Sequence, residues 1–294
     1  MDIQKICVEK TYPPLHSSGG REKDFAAFLR SRIWPLGTTQ RVAFMNSPED
    51  GGVTLNPSKK STLQSKYEAQ EKQGTLDIRK AIQEIVETEY NPILDKFKFE
   101  FVDDVDNANI RINFDSTKGS YSVIGREASN VPKTEPTMNF GWFDVGTVLH
   151  EFGHALGLVH EHQNPKGNDI QWDVPALDEY MKRTQGWDAA QVQTQVIKKY
   201  KSNQLNGSTF DPNSIMLYFY PPDLTTNNRG TTHNTALSAV DKKTISDAYS
   251  NKNNIDRPRF AHPRFAHLDL ILSISVLTVV VGLILFFYRK DSIK

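Results

Sequence analysis

Apolar residues alternate with polar ones in Phe97 to Val102 (FKFEFV) and again in Asn109 to Phe114 (NIRINF), which predicts two strands with one buried face each. Arg41 to Asn46 (RVAFMN) reads as an earlier strand, and Ser120 to Ile124 and Thr137 to Phe140 as two later ones. Leu76, Ile78, Ile82, Ile85 and Val86 fall at helical spacing, so a helix is expected over Thr75 to Tyr90, stopped by Asn91-Pro92. The polar stretch Ser58 to Gln73 either extends that helix or precedes it as loop. Another helix starts near Asp144 and runs through His154. Strands interleaved with helices predict an α+β fold, with a twisted mixed sheet and helices packed on it. After Asn164 the chain turns polar and broken, with short helices at Pro175 to Arg183, Ala189 to Tyr200 and Ser238 to Tyr249. Ser238 and Asp241 open the last of these with a capping-box pattern.

The two ends depart from this pattern. Residues 1–32 carry the breakers Pro13-Pro14 and Ser17-Ser18-Gly19-Gly20, with a short helix expected over Asp24 to Arg30. This stretch reads as a leader or a pro-segment. From Leu270 to Tyr288 the chain runs nineteen residues without a charge (LILSISVLTVVVGLILFFY), enough for a helix across the roughly 30 Å hydrocarbon core. A transmembrane helix is therefore expected over residues 269–289, placing a lipid bilayer among the partners. A basic stalk over residues 252–268 precedes it, with PRFAH twice in tandem, and a short tail over residues 290–294 follows. Arg257, Arg259 and Arg264 on one side balance Arg289, Lys290 and Lys294 on the other. The start of the chain lacks a signal-peptide pattern. Tail insertion is then the simplest route, and it leaves the large domain in the cytosol. The single cysteine, Cys7, excludes an intrachain disulfide and agrees with a reducing compartment. Formal net charge is zero and no long basic run occurs, so nucleic acid is not an expected partner.

The chemistry concentrates in one stretch, His150-Glu151-Phe152-Gly153-His154-Ala155-Leu156-Gly157-Leu158-Val159-His160. Four residues apart on a helix, His150 and His154 share a face and can hold one ion. Glu151 sits one step round, within reach of a water on that ion without ligating it. A glycine at position 157 permits the positive φ that ends a helix, so His160 approaches from another direction. Three neutral imidazoles leave a fourth position for water, as a catalytic zinc site requires, and the expected cofactor is one Zn2+. His162 reads as a loop side chain rather than a further ligand.

These residues resemble the metzincin zinc peptidases and, within them, the astacin-like branch. Trp34-Pro35-Leu36-Gly37-Thr38 is similar to the start of an astacin-type catalytic domain, and Gly119-Ser120-Tyr121-Ser122-Val123-Ile124-Gly125 to the loop and strand ahead of the zinc helix. Glu161 directly follows the third histidine, as in astacins, and Ser214-Ile215-Met216-Leu217-Tyr218 is similar to the Met-turn. The resemblance spans about Ile33 to Tyr249 and implies a metallopeptidase domain over residues 33–251 with a metzincin-like fold. That fold has a sheet and zinc helix above an irregular, partly helical lower half. It implies a peptide or protein substrate, and a Tyr218 that hydrogen-bonds the developing oxyanion. Met216 offers a soft side chain to floor the histidines. Thr137, Met138, Asn139 and Phe140 are expected at the cleft rim, where an extended substrate adds as a strand. The expected activity is zinc-dependent peptide hydrolysis with Glu151 as general base. A catalytically silent, membrane-tethered zinc-binding module is the alternative.

Overall fold

The computed structural model describes residues 8–10, 25–29, 32–57, 61–201, 205–206 and 209–250. These belong to one unit, residues 1–252; the second unit, residues 253–294, lies outside them. The expected stalk, transmembrane helix and tail, and Cys7, therefore also lie outside the described residues. Among the described residues, no helix is long and apolar enough to cross a membrane.

The alternating segments form the sheet. Strands β1 (Val8–Lys10), β3 (Thr38–Phe44), β4 (Phe97–Phe101), β5 (Ile110–Phe114), β6 (Tyr121–Val123) and β7 (Met138–Phe140) lie in the order β1-β6-β7-β5-β3-β4. All neighbours are parallel except β6 and β7. Strand β2 (Phe25–Leu29) pairs antiparallel with β8 (Leu205–Asn206) in a separate ribbon. The expected helix over Asp24 to Arg30 is thus a strand. A five-residue apolar run (FAAFL) fits either period, and its pairing with β8 decides.

Helix α1 (Thr62–Lys72) resolves the ambiguous polar stretch. Ser61 caps it, its side chain accepting from the Gln64 amide. Helix α2 (Ile78–Glu89) buries Ile78, Ala81, Ile82, Ile85 and Val86. That stripe joins Phe99, Ile110, Ile112, Phe140 and Phe152 in the main core. Helix α3 (Val145–Leu156), the histidine-bearing one, has all twelve residues buried. In the lower half, α4 (Val174–Gln185) and α5 (Ala189–Val192) enclose a smaller core around Leu177, Met181, Val196 and Tyr220. The expected helix over Ala189 to Tyr200 breaks after α5 into a wider π turn over Gln193–Ile197. Helix α6 (Ala239–Ala248) begins with the capping box of Ser238 and Asp241.

The rim expectation needs correction. Thr137 and the β7 residues Met138, Asn139 and Phe140 are interior, at most 1% exposed. Strand β7 pairs with β5 on one side and β6 on the other, so it cannot accept another strand. Its side chains serve the sheet. The Thr137 hydroxyl accepts from the Arg111 amide at 2.9 Å, and the Asn139 carboxamide donates to the Asp115 and Gly119 carbonyls. Strand β6 packs against α3 and lies between β7 and β1, with β1 the edge strand at that end of the sheet. The register there runs Val8 to Tyr121, Glu9 to Ser122 and Lys10 to Val123.

Buried Arg111 ties this region together. Its guanidinium donates to the carbonyls of Glu135, Ala108, Val131 and Pro132, pinning the loop that leads into β7. Carbonyls of four residues accept from the guanidinium, so the charge is hydrogen-bonded rather than stranded in the core.

Candidate active site

Helix α3 is fixed at both ends, which fixes the histidines. At its start the Asp144 carboxylate accepts from the Thr147 amide at 2.8 Å and from the Trp142 indole at 2.9 Å. Gln64 of α1 accepts from the Val145 amide at 3.1 Å. At its end, the last four carbonyls, which no helix can satisfy internally, all find donors. The Leu158 amide serves Gly153 at 3.0 Å and the Gly157 amide serves His154 at 2.8 Å. The Trp34 indole serves Ala155 at 2.8 Å and the Tyr249 hydroxyl serves Leu156 at 2.7 Å. Gly157 caps the helix in the left-handed region at φ 104°, and the chain reverses there toward His160.

Three rings then converge. One nitrogen from each of His150, His154 and His160 lies within 4.8 Å of the others, and all three residues are buried. The His150 Nδ1 lies 2.9 Å from the Ile215 carbonyl, and the His154 Nδ1 2.9 Å from the Leu158 carbonyl. A carbonyl only accepts, so both Nδ1 atoms carry the proton and both Nε2 atoms carry a lone pair. The His154 and His160 Nε2 atoms are 3.0 Å apart. The buried His150 Nε2 has no hydrogen-bond partner among the described residues. Burial pushes the His150 imidazole down to about 4. Burial first, and the neighbouring rings after it, hold His154 and His160 well below the ordinary histidine range. All three are therefore neutral near pH 7, the form that ligates metal. Two donors about 2.1 Å from one tetrahedral zinc are about 3.4 Å apart, so this donor set fits such an ion.

Glu151 is fully buried beside His150 on α3. Below, the Ser214–Leu217 turn closes on a 3.1 Å backbone bond. Met216 approaches the helix at Gly153, where a Cβ would meet its sulfur at 2.6 Å. The glycine inside the HEFGH run thus leaves room for the Met216 side chain, a reason the sequence does not disclose. Tyr218 is half-buried, its ring 5.1 Å from His150 and 4.3 Å from His160. Glu161 is buried outside the ring cluster. It accepts from the Asp211 amide at 2.8 Å and the Asn164 carboxamide at 2.9 Å, and burial raises its carboxyl to about 7. The His162 ring is buried too, with its Nε2 3.0 Å from the Gln195 carbonyl, and it is outside the converging trio.

Sequence reasoning missed Asp241. Its carboxylate accepts from the Ser214 hydroxyl at 2.7 Å and the Ile215 amide at 2.8 Å, clamping the turn from α6. The capping box revealed only its local duty.

Residues 59–250 match the peptidase family described as Astacin. The chain belongs to the astacin family. Astacins are zinc metalloendopeptidases, and this chain is a metallopeptidase of that family with its histidine trio assembled on an α+β fold. A solved structure of myroilysin is 32% identical, with 76% of this chain and 97% of that one covered at a TM-score of 0.58. Astacin-like metalloprotease toxin 4 of Loxosceles laeta is 27% identical over 112 residues, 38% of this chain and 89% of the toxin.

Since Gly157 aims the segment carrying the third histidine, Gly157→Ala places a side chain at positive φ, at a cost of about 1–2 kcal/mol. The expected result is an about tenfold weaker zinc affinity in competition with a chromogenic chelator. An unchanged affinity contradicts the part assigned to this turn.

Proposed function

We propose that this astacin-family chain hydrolyses internal peptide bonds through His150, His154, His160, Glu151 and Tyr218, and that residues 269–289 hold it on a membrane. The observation that carries the catalytic reading is the meeting of three neutral imidazoles beside the buried Glu151 carboxyl. The three histidines would hold a zinc ion, which would supply Lewis acidity to lower the pKa of a water from 15.7 to about 7 and to polarise a carbonyl. Glu151 takes the proton of the attacking water and returns it to the leaving amine nitrogen. Tyr218 donates a hydrogen bond to the carbonyl oxygen as negative charge develops there. Its ring contacts with His150 and His160 support that role. Met216 packs beneath the helix that carries the first two histidines.

The outer side of β6 is suited to align an extended peptide by backbone hydrogen bonds. Strand β1 runs along that side. We read residues 1–32 accordingly as a pro-segment, with 33–251 the working domain. The uncharged run Leu270 to Tyr288 supports a bilayer anchor, joined to the domain by the basic stalk.

Glu151→Gln is expected to keep one zinc per chain and lose at least about a hundredfold in kcat, since general acid–base catalysis contributes roughly 10²–10⁴-fold. Undiminished casein or peptide cleavage by that variant rules the mechanism out. Chelation is expected to abolish cleavage of the parent and zinc to restore it. Removing residues 1–32 is expected to raise kcat/KM on a peptide, chiefly through KM, and no change dismisses the pro-segment. Full-length chain is expected to stay with membranes after alkaline carbonate washing, whereas a chain ending at residue 251 is released; release of both refutes the anchor.

A further inference from the structure

His162 has no part in the chemistry above, yet its ring packs against that of Tyr218. The residue is 0% exposed. Because the Gln195 carbonyl at 3.0 Å only accepts, His162 Nε2 carries the proton, and this bond fixes the plane of the ring. The buried Nδ1, left with the lone pair, has no hydrogen-bond partner among the described residues. Retaining an imidazole with one nitrogen unsatisfied is costly where a phenyl ring would fill the same space. The Gln195 bond is what a phenyl ring could not make.

The ring is held on several sides. It stacks on His160 at 5.1 Å and 19°, and on Tyr218 at 5.4 Å and 30°. Edge-on contacts with Trp172 at 6.4 Å and Tyr220 at 5.6 Å close it off from behind. The Asn168 carboxamide donates to the His162 carbonyl, fixing the backbone. Tyr218 meets three imidazoles: His150, His160 and His162. The first two are metal-site rings, whereas His162 is placed by protein contacts alone. Its anchor, Gln195, sits in the π turn that follows α5.

We infer that His162 is a positioning residue for Tyr218: its plane, locked onto the Gln195 carbonyl, holds the phenol ring against the histidine trio at the angle that aims the hydroxyl. This rests on the oxyanion role proposed for Tyr218. The lower half then takes part in catalysis through ring packing, and the π turn presents the Gln195 carbonyl that holds the ring.

A double-mutant cycle in the full chain tests this, with His162→Leu and Tyr218→Phe alone and combined. In the otherwise unchanged chain, His162→Leu is expected to lower kcat about tenfold, leave KM within about twofold and retain one zinc per chain. Affinity for a phosphinic peptide, a mimic of the tetrahedral species, falls by the same factor, while affinity for a product peptide holds. In the Tyr218→Phe background the same substitution is expected to cost nothing further. His162→Phe, which keeps the ring but not the bond to Gln195, is expected to fall between parent and His162→Leu; it carries the test if the leucine variant fails to fold. Equal losses in both backgrounds, or loss of zinc, overturn the inference while leaving the tyrosine's role intact. Full activity in Tyr218→Phe alone instead removes that role, and the inference with it.

Discussion

The carbonyls of Ile215 and Leu158 govern the metal site, since each takes the Nδ1 proton of a buried histidine. Those two bonds set the tautomer, stop the rings from turning and leave both Nε2 lone pairs available. They also make the site depend on distant backbone. Leu158 stands one residue beyond the left-handed Gly157 and donates back to Gly153, so the partner of His154 is placed by the helix cap itself. Ile215 belongs to a segment sixty-five residues away in sequence, so the orientation of His150 reports where the lower half lies.

Ile215 is gripped from both sides. Its carbonyl holds His150, and its amide donates to Asp241 at 2.8 Å. Asp241 also takes the Ser214 hydroxyl and the Ser238 amide, while Ser238 donates to Asp211. Burial raises the Asp241 carboxyl, and these donors oppose that by stabilising its charged form. The N-terminus of α6 is thus connected through two hydrogen bonds to a metal-site imidazole. From above, Trp34 and Tyr249 hold the other end of α3 by its last carbonyls. Residues near both ends of the described domain therefore converge on one helix.

Local chemistry was legible in the sequence, and spatial order was not. The end of α3 follows from its terminal glycine, a signal within one turn of the helix, while the structure supplies the Asp144 cap at its start. Strands β4 and β5 followed from their alternation. Strand β2 was misread because five apolar residues carry no usable period, and only its pairing fixes it. The rim is expected on Thr137 to Phe140, whereas β7 is enclosed between β5 and β6. Alternation shows that a strand has a buried face but not which strands flank it. Asp241 and His162 escaped for a related reason: each acts on segments more than twenty residues away, and no short motif records that.

The arrangement also explains how such a site is maintained among buried side chains. Gathering imidazole nitrogens away from water is unfavourable, and in an unsupported chain the metal would have to offset both that desolvation and the ordering of its ligands. Here the ordering is supplied separately. His150 and His154 are placed by capped helix and carbonyl acceptors, and the Glu161 amide after His160 donates to Met216 at 3.0 Å. That last bond joins the segment bearing the third histidine to the turn that also orients the first. The donors are brought together by contacts that do not pass through the ion, so less binding free energy goes into assembly and more remains as affinity. The same contacts place the half-buried Tyr218 beside two of those histidines, which gives metal site and proposed oxyanion donor one common support.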